Sequence, residues 1–62
     1  MITIIIKTDN AAFDDPEYGH EVARILDLMA RDYKMYGQAK TQYNDVNGNR
    51  VVRLSDTKKG TR

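Results

Sequence analysis

The chain has no cysteine and no tryptophan, and among its 62 residues there is one proline, one histidine and one serine. Without thiols there is neither a disulfide framework nor a thiolate zinc site. A single imidazole, His20, leaves no histidine cluster for a transition metal. Ser55 is the only hydroxyl of its kind, and nothing along the chain sets it beside His20, so no nucleophile–base pair is indicated. His20 reads more simply as a solvent-facing helix residue. The four glycines are isolated and form no phosphate-cradling loop. The acidic stretch of Asp9, Asn10, Asp14 and Asp15 lacks the alternate ligands, central glycine and closing glutamate of a calcium loop. The apolar run Ile2 to Ile6 stops at Lys7, far short of the ~20 residues of a membrane span and too short for a leader. These absences lead to the expectation of a non-catalytic, soluble chain with no cofactor, no metal and no membrane partner. A thiol-free composition suits a reducing cytoplasm.

What is present has a clear order. Met1 to Thr8 is rich in β-branched residues and reads as a strand, with Ile2, Ile4 and Ile6 on one face and Thr3, Ile5 and Lys7 on the other. After an Asp/Asn-rich loop, Pro16 suits a first helical position, with Asp15 as N-cap. In the alternative frame Asp14 caps, Glu17 completes a capping box and Phe13 staples against Tyr18. From Pro16 to Tyr36 the positions Tyr18, Val22, Ile25, Leu26, Met29, Tyr33 and Tyr36 recur at spacings of three and four, which predicts one apolar stripe. His20, Arg24, Asp27, Arg31 and Lys34 form the opposite, charged row, in which Asp27 and Arg31 are spaced to pair. Gly37 is placed to end the helix in the left-handed conformation.

Lys40 to Leu54 reads as a hairpin around Asn47-Gly48, a type I′ signal that pairs Tyr43 with Val52 and Asp45 with Arg50. Tyr43, Val52 and Leu54 then face the helix and Val51 points outward. A longer turn with a bulge shifts that facing by one residue. The predicted architecture is α+β, in the order β-α-β-β, with one long helix packed on a small three-stranded sheet. Residues 1–54 form a single domain, and 55–62 are a basic, patternless tail. The first strand pairs either with the second hairpin strand or, across a crossover, with the first. A chain of this size buries only ~60% of its unfolded surface, so it depends on close packing or self-association.

Charge is polarised. Residues 1–32 carry seven acidic and three basic side chains, whereas residues 33–62 carry two acidic and seven basic. Lys40, Arg50, Arg53, Lys58, Lys59 and Arg62, with Tyr33, Tyr36 and Tyr43 nearby in sequence, are candidates for direct contact with single-stranded nucleic acid. Packing is the commoner use of such tyrosines. Protein binding fits better. Ile5 and Val51, if both point outward, make an apolar spot rimmed by charge, and Asp9, Asp14, Asp15, Glu17, His20, Arg24 and Arg31 offer a charged surface to a partner. The same open sheet face suits a homodimer.

Three segments, Asp9-Asn10-Ala11-Ala12-Phe13-Asp14-Asp15, Glu21-Val22-Ala23-Arg24-Ile25-Leu26 and Asp45-Val46-Asn47-Gly48-Asn49-Arg50-Val51, resemble a family of very small proteins of tailed bacteriophages and prophages. The resemblance spans roughly residues 2–54. It implies a strand, an acidic loop, a helix and a closing hairpin, in the cytoplasm of a bacterial host, and it transfers no catalytic residues. Small phage proteins of this kind commonly occlude a host machine. The function expected is therefore inhibition or modulation of a host protein or nucleoprotein, with anti-CRISPR-like counter-defence as its sharpest form. The alternatives are single-strand nucleic-acid binding and a self-associating structural phage component.

Overall fold

The computed structural model describes residues 1–58. It shows an α+β fold: β1 (Ile2–Ile6), a 3-10 turn (Ala11–Phe13), α1 (Tyr18–Tyr36), β2 (Gln42–Asn44) and β3 (Arg50–Asp56). The strands order as β1-β3-β2, antiparallel throughout. The first strand thus pairs with the second strand of the hairpin, which places residues 2–6 against 52–56. β3 runs two residues past the predicted domain end. Beyond it, the Thr57 amide donates to the Met1 carbonyl at 3.0 Å, and the Met1 ammonium donates to Thr57 Oγ1 at 2.8 Å. Lys59 and Arg62 of the predicted tail lie outside the described residues.

The helix starts later than expected. The Glu17 amide closes a turn on the Asp14 carbonyl at 2.8 Å, and α1 begins at Tyr18; the Asp15-Pro16 bond in this turn is cis. Neither Asp14 nor Asp15 caps it; Glu17 holds the N-cap position without a side-chain bond. The side-chain cap falls instead on the 3-10 turn, where Asn10 accepts from the Ala12 amide. Phe13 and Tyr18 do meet, edge to face, with ring centroids 6.4 Å apart. Gly37 ends α1 at φ 73°, a conformation that costs glycine nothing, and its amide bonds back to the Tyr33 carbonyl.

The buried core gathers Ala12, Phe13, Ile25, Met29, Ala39, Tyr43, Val51, Val52 and Leu54, with Val22, Leu28, Tyr33 and Ile6 packed around it. Val22, Ile25, Met29 and Tyr33 of the predicted stripe do face the core, but the inward face is rotated from the full stripe. Tyr18, Leu26 and Tyr36 are exposed, while Glu21 and Asp32 are buried. Both inward carboxylates accept from the hairpin. Glu21 takes the Val46 amide at 2.8 Å, and Asp32 takes the Tyr43 hydroxyl at 2.7 Å. Among the described residues Asp27 and Arg31 form no ion pair, whereas Arg24 and Glu21 do, at 2.8 Å.

The hairpin turn is not type I′. Asn47 has negative φ and only Gly48 is left-handed, at 87°. The Gly48 amide bonds the Asp45 carbonyl, the Asp45 amide bonds the Asn49 carbonyl, and the register slips between Tyr43 and Asn44. Tyr43 still faces Val52 as predicted, but Asn44 faces Arg50, so Val51 has no partner on β2. Such a bulge re-aims a side chain. Val51 is 4% exposed and belongs to the core, which corrects its expected outward position. The longer turn with a bulge is the form that occurs.

Candidate functional site

Two surfaces carry the residues singled out in the sequence. The first is the sheet face away from α1. β1 and β3 alternate, so Thr3, Ile5 and Lys7 share this face with Arg53 and Ser55. Ile5, Lys7, Arg50, Arg53 and Val51 surround a shallow depression of about 200 Å³, with Val51 as its buried floor. Ile5 is 53% exposed, as expected of an outward residue. Among the described residues, no carboxylate lies within ion-pair distance of Lys7, Arg50 or Arg53. Three cations thus ring an apolar centre. The sequence had assigned Ile5 and Val51 to a protein partner and Arg50 and Arg53 to nucleic acid, and the fold brings the two sets into one place.

The second surface lies where the start of α1 meets the hairpin turn, a groove of about 220 Å³ lined by Ala12, Glu17, His20, Glu21, Arg24 and Val46. Its charges are largely spent on structure. The Arg24 guanidinium donates from Nε and Nη2 to both oxygens of Glu21, at 2.8 and 2.9 Å, and from Nη2 to the Asn44 carbonyl at 3.1 Å. The Arg24 contact holds the Glu21 carboxyl below its ordinary value; burial opposes this and the Val46 amide adds to it. In the adjoining turn, burial pushes Asp45 up, but the Asn49 amide and side chain, the Asn10 side chain and the Asn47 amide outweigh it and leave its carboxyl lowered. Arg24 is therefore a clamp more than a free contact.

The remaining predicted residues scatter. Asp9, Asp14, Asp15 and Arg31 are exposed and line neither surface. Lys40 stands by the β2 edge with Arg24 and Gln42, and Lys58 sits beside Met1, Ile2 and Tyr33. His20 lines the groove at the helix start, while Ser55 pairs with Thr3 at the far end of the sheet, so the two are not brought together. Lys7 is absent from the sequence-based site residues yet lines the depression with Arg50 and Arg53; the period of two, which places it on the outer face with Ile5, is the available signal.

Fold and faces together define a small α+β protein with a β1-β3-β2 antiparallel sheet and one basic, apolar-centred face. Comparison with protein-family models, curated proteins and solved structures finds no match for this chain. No helix among the described residues is long and apolar enough to cross a membrane.

Proposed function

We propose that this chain is a non-catalytic binding protein that docks its outer sheet face on an acidic surface of a host protein or nucleoprotein and thereby inhibits or modulates it. The observation that carries the reading is the ring of Lys7, Arg50 and Arg53 around exposed Ile5, over a floor of buried Val51, with no carboxylate among the described residues to neutralise it. Interfaces combine an apolar centre with a charged rim in this way, and unpaired like charges steer an oppositely charged partner. The resemblance to small tailed-phage proteins makes bacterial machinery the partner to seek first, and a nucleic-acid-guided defence complex the sharpest candidate.

Single-stranded nucleic acid fits this face less well. Stacking needs rings, and here Tyr43 is in the core, Tyr33 bonds Asp56 at 2.8 Å on the helix side, and Tyr18 and Tyr36 lie on α1. The test is affinity capture from a bacterial lysate with the wild-type chain and with Lys7→Glu/Arg53→Glu. A stoichiometric partner held by the first and lost by the second supports the reading. Equal retention by both, or salt-sensitive binding of single-stranded oligonucleotides instead, would sink it.

A further inference from the structure

We propose that two copies of this chain pair antiparallel through the free edge of β1, giving a continuous six-stranded sheet with both helices on one side. The Lys7 amide donates to the Val51 carbonyl at 2.8 Å, and the Met1 carbonyl accepts from Thr57 at 3.0 Å. Odd-numbered residues of β1 therefore bond to β3, and the backbone groups of Ile2, Ile4 and Ile6 point to the open edge. A two-fold axis through Ile4 then sets Ile4 against its own copy and Ile2 against Ile6, and satisfies every one of those N–H and C=O groups at once. The edge strand carries none of the usual side-chain defences: from Ile2 to Ile6 there is no proline, no bulge and no charged side chain. In this register the two Lys7 side chains stand at opposite ends of the joint.

The flank of α1 above the same edge agrees. Asp32 and Arg24 reach towards β2, whereas Tyr33 bonds Asp56, the residue paired with Ile2. Helical periodicity places Val22 and Leu26 beside Tyr33 on that flank. Leu26 is 45% exposed, and Ile2 and Ile4 are 50% and 41% exposed although they lie on the helix-facing side of the sheet. Alternation sets these isoleucines with Ile6 on one face of the strand; a single helix does not reach over them, and a second copy brings apolar surface to the gap. A body 35 × 18 × 18 Å offers at most about 600 Å² on such a side, or about 1,200 Å² for the pair, the lower bound of specific interfaces. The dimer is thus concentration-dependent, and it doubles the basic face without covering it.

Sedimentation of the full chain from micromolar to millimolar concentration tests this, with amide hydrogen exchange alongside. The mass should double with concentration, and the Ile2, Ile4 and Ile6 amides should become protected as it does, while those of Ile5 and Lys7 are protected throughout. Ile4→Pro removes an edge donor without breaking a bond to β3, and because it acts twice across the axis it should weaken association at least about 30-fold. Ile4→Lys should act likewise, and Ile5→Lys, on the other face, should leave the dimer intact. A chain that stays monomeric at millimolar concentration, or a dimer insensitive to Ile4→Pro and Ile4→Lys but abolished by Ile5→Lys, overturns the proposal. Partner capture by the outer face is read separately, so either result can fail without the other.

Discussion

Along one flank of α1, towards β2 and its turn, contact is made through carboxylates; along the other, towards β1, through aliphatic side chains left half open. On the hairpin side Glu21 binds Arg24 and the Val46 amide, and Asp32 binds the Tyr43 hydroxyl, which in turn accepts the Lys40 amide at 3.1 Å. Every buried side-chain polar atom among the described residues has a partner. On the β1 side the helix is tied by Tyr33–Asp56. Directional bonds of the first kind fix one geometry, because an unmade bond there costs the full desolvation of the group. Apolar contact of the second kind is tolerant of what covers it. One flank is finished within the chain, and the other has surface to spare.

Substitutions can break this contrast in order of size. Ile25 is fully buried under both flanks, and Ile25→Ala should cost about 3–4 kcal/mol, enough to unfold much of a domain this small in thermal or urea melts. Glu21→Ala strands the Val46 amide and should cost about 2–3 kcal/mol; Arg24 contributes less, since its side chain is 40% exposed and already screened. Tyr43→Phe leaves the Asp32 carboxylate short of a donor and should cost about 1–2 kcal/mol. Ile4→Ser, by contrast, should change the melting of dilute monomer by under about 1 kcal/mol. If Ile4→Ser proved as damaging as Glu21→Ala, the two flanks would not differ.

Acid sharpens the same comparison. Glu21 and Asp45 have folded values below their unfolded ones, so the stability they supply is complete above about pH 5 and is lost as pH falls through the lowered values. Urea midpoints should drop between pH 5 and pH 2, and Glu21→Gln should shrink that drop. Tyr33 is the opposite case. Its bond to Asp56, then burial, raise the phenol, so its contribution is present below about pH 10 and fades as pH rises beyond. Tyr33→Phe should abolish only this alkaline component, the smallest effect of the set.

Features with a local signal are legible in the sequence; roles that depend on a distant group are not. The helix body, Gly37 and the Tyr43–Val52 pairing follow from periodicity, a glycine and a turn dipeptide, all within a few residues. The inward turn of Glu21 and Asp32 does not, because their partners, Val46 and Tyr43, lie 25 and 11 residues on. Asp15-Pro16 carries the same letters whether it opens a helix or a cis turn. Asn47-Gly48 likewise serves two turn geometries, and the choice between them moved Val51 from the surface to the core. Ile5 was placed correctly by alternation alone. The gathering of Lys7 with Arg50 and Arg53 needed the strand order, which the sequence left open.

The mutual bonds of Met1 and Thr57 stitch the two ends of the fold side by side. In the natural order β1 finds β3 only after some fifty residues have been arranged, an entropic search that slows folding. Circular permutation would reverse this. If residues 59–62 served as a linker to Met1 and the chain were opened at the exposed Val46–Asn47 turn, β3 and β1 would become neighbours in a hairpin, and the slowest contact would be made among the first.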